Sequence, residues 1–89
     1  MRRLRRSSHF KRDVRRLARR DCGFAEFCRV IELLVAGRPL EPRHRDHPLR
    51  GGYSGTRECH VEPDWLLVYE LCEGEVILVR TGTHADLFE

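Results

Sequence analysis

Apolar residues recur along this chain with two different periods, and the change of period divides it into a helical half and a β half. Phe10, Val14, Leu17 and Ala18 follow the i, i+4, i+7, i+8 spacing of one helix face. Ser7 or Ser8 supplies an N-cap ahead of them. Arg12, Arg15, Arg16, Arg19 and Arg20 fill the remaining helix surface, and Asp21-Cys22-Gly23 ends it. A second helix is expected from Phe24 to Ala36, with a stripe of Phe24, Phe27, Cys28, Ile31, Leu34 and Val35. Gly37 and Pro39 stop it. Before both, Leu4 among arginines suits a short edge strand, where charge discourages strand addition.

Beyond Gly55 the period changes to two. Thr56 to Glu62 alternates, placing Cys59 and Val61 on one face and Glu58 and His60 on the other. Pro63-Asp64 turns the chain, Trp65 to Cys72 is an apolar strand, Glu73-Gly74 turns again, and Glu75 to Thr81 is the third strand of a meander. The stretch from Leu40 to Gly55, punctuated by Pro42, Pro48, Gly51 and Gly52, is too long for an ordinary connection and reads as a working loop. Neither amphipathic helix buries its stripe alone, so both need a sheet to lie on. The order is βαα-βββ: one α+β domain over residues 1–89, a helical hairpin packed on a small antiparallel sheet.

Charge sharpens this division. Residues 1–45 hold 14 Lys+Arg against 5 Asp+Glu, whereas residues 46–89 hold 3 against 9. Sixteen of the 17 cations are arginine, the residue suited to bidentate phosphate contacts. The basic half reads as a nucleic-acid footprint, or else as a solvated helix face that meets an acidic protein partner. No apolar run approaches the roughly 20 residues needed to span a bilayer. The basic N-terminus is not followed by the apolar stretch of a signal peptide, so a cytoplasmic protein is expected. Cys22, Cys28, Cys59 and Cys72 form no CxxC pair, and Cys28 and Cys59 are expected to pack as small hydrophobes on apolar faces.

The candidate chemistry lies in loops and strand ends of the β half. His47, His60, Asp64 and His84 fall in segments expected to meet around one hairpin, with Arg57 and Arg80 as phosphate contacts. Taken singly, each has a bland explanation. A strand histidine is usually a surface residue, Asp64 after Pro63 is a turn former, and His47 before Pro48 is ordinary loop chemistry. Their convergence is what suggests an acid–base site. The spacing 47, 60, 64 and 84 matches no compact metal-ligand motif, and no metal or other cofactor is expected.

The runs DHPL (Asp46–Leu49), HVEPDWLLVY (His60–Tyr69) and RTGTHADLF (Arg80–Phe88) resemble the YafQ branch of the RelE/ParE superfamily of bacterial toxins. That resemblance covers Asp46 to Phe88, and the two expected helices fit the rest of a RelE-like fold. It implies an mRNA interferase, the toxin of a toxin–antitoxin pair, cutting messages in the ribosomal A site. Its partners would be mRNA, the ribosome and a cognate antitoxin with an acidic segment. The site it implies is His47, His60, Asp64 and His84, with Arg80 on phosphate and Phe88 stacking on a base.

The implied reaction is attack of the ribose 2′-OH on the adjacent phosphorus. Histidine titrates near neutrality, so one ring can take a proton while another gives one. His84, beside cationic Arg80, suits the acid and His47 the base, with Asp64 orienting His60 or sharing the proton. Arg12, Arg15, Arg16, Arg19 and Arg20, mostly away from the apolar stripe, are expected to remain in water and to hold ribosomal RNA phosphates. The alternative is a non-catalytic basic nucleic-acid or partner-binding module on the same fold; the histidine set argues against it, because binding alone would need only arginines.

Overall fold

A computed structural model describes residues 1–20, 23–49 and 55–88. Asp21 and Cys22, and most of the glycine-rich part of the long loop, lie outside the described residues. The elements are strand β1 (Arg3–Arg6), helix α1 (Ser8–Arg19), helix α2 (Ala25–Ala36), a 3-10 turn (Pro42–His44), and strands β2 (His47–Pro48), β3 (Arg57–Glu62), β4 (Trp65–Cys72) and β5 (Glu75–Gly82). A short helix, α3 (His84–Phe88), follows them. The strands form one sheet in the order β1-β5-β4-β3-β2, with β1 parallel to β5 and the other pairs antiparallel. The expected α+β architecture is therefore present, with β2 and α3 as additions to the βαα-βββ order.

Local chemistry explains the helix limits. Ser7 is the N-cap of α1: its Oγ accepts from the Phe10 N–H at 3.0 Å and donates to the Val79 carbonyl at 2.6 Å. One hydroxyl thus starts the helix and fastens it to β5. At the other end of the hairpin, Gly37 takes φ 73° and closes α2, its own N–H reaching the Leu34 carbonyl and that of Arg38 the Leu33 carbonyl.

The main core lies between the helices and one face of the sheet. Phe10, Leu17, Phe27, Val30 and Leu34 pack there against Cys59, Val61, Trp65, Leu67, Tyr69, Val76 and Leu78. Each such side chain contributes roughly 1.5–3 kcal/mol on burial. The Phe27 and Trp65 rings stack at 5.1 Å, and Phe24 meets Trp65 edge-on at 5.6 Å. Trp65 donates its indole N–H to Thr81 Oγ1 at 2.9 Å, so its polar edge is satisfied inside the core.

The apolar stripes turn out rotated from those expected. On α1 the buried positions are Phe10, Asp13 and Leu17, while Ala18 is exposed. On α2 Val30 is fully buried and Cys28 is exposed, so the packing role expected of Cys28 does not hold. The reason is the line of contact: α2 meets the sheet along Phe27, Val30 and Leu34, an i, i+3, i+7 row that leaves Cys28 on the outer flank. Cys59 does lie in the core, where burial first, and then the Asp46 and Glu58 charges, push its thiol up to about 12. It stays neutral there as a small hydrophobe.

Candidate active site

The opposite face of the sheet gathers the titratable groups. In register, His47 pairs with Glu58, Glu58 with Val68, and Val68 with Arg80, which makes one cross-strand row. The next row runs His60, Leu66, Gly82 and leads directly into His84. Side chains paired directly across strands share a face, so His47, Glu58 and His60 project together. Leu66, Val68 and Leu87 form a small apolar floor with Leu49 and Val79, which places α3 on this same face.

Two bulges shape the site. In β5, Leu78 pairs with Tyr69 and Arg80 with the adjacent Val68, leaving Val79 as the extra residue. Strict alternation from Leu78 would send Arg80 to the helix side. The bulge flips it to the row of His47 and Glu58. A second irregularity lies between His60 and Glu62, where the hairpin bends.

Each histidine has a distinct setting. His47 Nδ1 lies 2.9 Å from the Arg45 carbonyl, which only accepts, so Nδ1 carries the proton and a neutral ring presents a bare Nε2. Arg45 supports this contact from a left-handed backbone, φ 45°, unusual for a residue with a side chain. His60 Nδ1 faces the Pro63 carbonyl at 3.3 Å, and its Nε2 lies 3.6 Å from Glu58 Oε1. The Pro63 carbonyl only accepts, so Nδ1 carries a proton, while Nε2 stands at ion-pair rather than hydrogen-bond distance from the Glu58 carboxylate. His84 is exposed at the start of α3, and its ring centroid lies 5.0 Å from that of Phe88, one helical turn on.

Asp64 stands elsewhere. It is exposed in the β3–β4 turn and lines a depression with Arg20, Glu62 and Thr83. The groups at the His60 ring nitrogens are the Pro63 carbonyl and the buried Glu58 carboxylate; Asp64, expected to orient His60, is not one of them. Beside His60 opens a separate cavity bordered by Glu26, Arg43, His44 and Arg45.

The arginines divide. Arg57 pairs with Tyr69, on the helix-side face, and its Nε donates to Asp46 at 3.2 Å. It therefore points away from His60 rather than beside it. Tyr69 also donates to Asp46, and burial, reinforced by that carboxylate, holds its phenol well above the usual range. Arg80 Nε donates to Asp13 Oδ2 at 2.8 Å and its Nη2 to Oδ1 at 3.2 Å. Arg16, expected in water, is half-buried instead, 3.0 Å from Asp13 and 3.8 Å from Asp86. Arg12, Arg15 and Arg19 are exposed along α1, as expected, whereas Arg20, also expected in water, is committed to Asp86 at 2.8 Å.

Four residues important to this geometry escape a reading of the sequence alone: Asp13, His44, Asp46 and Glu58. Asp13 did carry a signal, since it stands three residues after Phe10 and four before Leu17, on the apolar stripe itself. The helix α3 also carried one. Thr83 and Asp86 form a reciprocal capping pair, Thr83 N–H to Asp86 Oδ2 at 3.0 Å and Asp86 N–H to Thr83 Oγ1 at 3.1 Å. The Arg20 hydrogen bond foremost, then Thr83 and Arg16, hold the Asp86 carboxyl well below the usual range.

Among the described residues, no group of three or more His, Cys, Asp and Glu side chains is placed to hold a metal ion. No described helix is long and apolar enough to cross a membrane.

The chain is 39% identical over 83 residues to the mRNA interferase toxin YafQ of Escherichia coli K12, covering 92% of this chain and 90% of that protein. The E. coli DinJ-YafQ complex contains a chain of the same fold, with a TM-score of 0.93 and 37% identity over 100% of both chains. A metal-bound toxin from Helicobacter pylori aligns with a TM-score of 0.92 and 37% identity, over 99% of this chain and 100% of that one. Residues 2–89 match the family model for YafQ, the bacterial toxin of type II toxin-antitoxin systems, and the chain belongs to that family.

Proposed function

We propose that this protein is the toxin of a type II pair and an mRNA interferase, an endoribonuclease that cuts messages in the ribosomal A site by histidine acid–base chemistry. The observation that carries this reading is the tethered ring of His47. Its Nδ1–H is committed to the Arg45 carbonyl, so its bare Nε2 is available as a general base on the face that also holds His60 and α3.

In the reaction His47 Nε2 takes the ribose 2′-OH proton. The 2′-oxygen bonds to phosphorus, and the P–O5′ bond breaks. His84 gives a proton to the departing 5′-oxygen, leaving a 2′,3′-cyclic phosphate. Arg80 stabilises charge growing on the phosphoryl oxygens, His60 lends a further ring on the same face, and Phe88 offers its exposed ring to a neighbouring base. Asp64, in the turn of the same hairpin, lines a depression with Arg20 and Thr83 that none of the three histidines borders, and it moves no proton in this scheme. These groups supply every proton transfer and charge contact of the step. Cleavage should therefore survive EDTA when the ribosome's own magnesium is held constant. Stoichiometric zinc whose removal abolishes activity would overturn the metal-free form of the mechanism.

Two further features support the partners. Arg12, Arg15 and Arg19 offer exposed cations along α1 for ribosomal RNA phosphate. The groove beside them has apolar walls at Leu4, Val14 and Ile31 and cations at Arg6, Lys11 and Arg15. It suits an acidic, amphipathic antitoxin segment, by likeness to the E. coli DinJ-YafQ pair. Acting on messages, the protein would work in the cytoplasm.

The test is His84→Ala. His84 is exposed at the start of the five-residue helix α3, so the fold should persist while message cleavage and growth arrest fall by roughly 10²–10⁴-fold. A folded variant of undiminished toxicity would favour a non-catalytic binding module instead.

A further inference from the structure

We propose that Asp13 is a positioning residue for the cleavage reaction: buried at the edge of β5, it fixes the guanidinium of Arg80 in the plane from which that group meets the phosphate. The inference rests on the ribonuclease reading above and adds to it a residue outside the histidine motifs.

The geometry begins with a gap in the sheet. β1 pairs with β5 only as far as Leu78, so beyond that point no strand among the described residues lies along the outer edge of β5. Helix α1 covers it instead. Ser7 takes the Val79 carbonyl, and Asp13 Oδ2 accepts the Thr81 N–H at 3.1 Å. Asp13 is 2% exposed, and a carboxylate so buried requires partners. Besides Thr81 they are Arg16 Nη2 at 3.0 Å and the Nε–Nη2 edge of Arg80.

A two-point contact to a planar guanidinium does what a single contact cannot. It fixes the plane as well as the position, and so the direction of the remaining N–H groups. Arg80 would otherwise be a long, rotamer-rich side chain emerging from a bulge. The same carboxylate continues the order into α3. Asp13 binds Arg16, Arg16 approaches Asp86, and Asp86 binds Arg20 and closes the cap that begins the helix of His84 and Phe88. Gly82 leaves room for this chain of charges. A Cβ there would lie 3.0 Å from Asp86 Cβ and 3.2 Å from Arg16 Nη2. Asp13 thus stands between the arginine and the helix that must act on one phosphate together.

The experiment is a double-mutant cycle of Asp13→Asn and Arg80→Ala, read as the single-turnover cleavage rate and the apparent KM on message-programmed ribosomes, with folding checked by circular dichroism. Asp13→Asn should lower the rate by about 10–100-fold, the scale of a misplacement near 1 Å, with KM changed less than about threefold. In the Arg80→Ala background the same change should alter the rate by less than about threefold, because Asp13 acts through Arg80. A merely structural acid would give losses that multiply, and that result, or a folded Asp13→Asn protein with the parent's rate, overturns the proposal. Should Asp13→Asn not fold, Asp13→Glu, which keeps the charge but shifts the contact by one methylene, goes through the same cycle and is read by the same two outcomes. A parent protein that cuts no message overturns the ribonuclease reading itself, and this proposal with it.

Discussion

The two faces of the β3–β4 hairpin are made from alternate residues of the same strands, yet they are opposites. On the helix side Cys59, Leu67 and Tyr69 are buried to 1% exposure or less, and a polar edge admitted there is matched, as Trp65 is by Thr81. On the other side Glu58 and His60 stand over a small floor of Leu66, Val68 and Leu87, flanked by Leu49 and Val79, with His47 and His84 in water around it. The first face has the redundancy of a packed core, and the second has almost none. Stability and chemistry are thereby assigned to residues one position apart, and changes on the two faces should fail in different ways.

The largest effect that sharpens this contrast is on the open face. His47→Ala should slow message cleavage by roughly 10²–10⁴-fold while urea denaturation shifts by less than about 0.5 kcal/mol, as for an exposed substitution. A loss of stability on the scale of kilocalories, with cleavage per folded molecule intact, would reverse the assignment of faces. On the closed face, Leu67→Ala should cost about 2–5 kcal/mol of unfolding free energy and leave the cleavage rate of the folded fraction near the parent's.

Asp86 belongs to both faces in part, and its effect should be smaller. Asp86→Ala removes a cap and two arginine contacts, so near pH 7 it should destabilise by roughly 1 kcal/mol, the size of a lost cap. The sign with pH follows from its lowered carboxyl. Its contribution is complete above the ordinary aspartate range, near pH 4, and is lost as pH falls towards the depressed value. The parent and variant stability curves should therefore converge in strong acid. Curves that stay parallel down to pH 2 would show that the carboxylate's charge is not what stabilises α3.

The smallest change concerns the solvated helix. Replacing Arg12, Arg15 and Arg19 together with Gln should weaken ribosome binding and flatten its log–log salt dependence by about 0.7–0.9 for each lost contact. The pH profile of the remaining cleavage should not move. An unchanged salt slope would reduce these arginines to a soluble surface with no part in binding.

Much of this was legible from local pattern. Ser7 and Gly37 fix helix ends through their own side chain or backbone, and Pro63-Asp64 and Glu73-Gly74 turn the strands where alternation stops. The family blocks pointed to His47, His60, Asp64 and His84 before any geometry. Less legible was α3, five residues long and too short to display a period, although its Thr83–Asp86 pair was visible. Arg57 misled because its neighbour His60 suggested a common site, whereas strand alternation sends the two to opposite faces.

What the sequence determined by itself is whatever depends on neighbours within one turn or one strand: the longer elements and their order, the start of α1 and the end of α2, and the histidines able to move a proton. What only the tertiary structure decided depends on registers between strands far apart in the chain. A single extra residue at Val79 turns Arg80 to the row of His47 and Glu58. Asp13 finds Arg80 across a separation of 67 residues. No periodicity in the chain encodes either fact. A bulge is a compromise between two strands, and a buried carboxylate takes whatever cations packing brings to it.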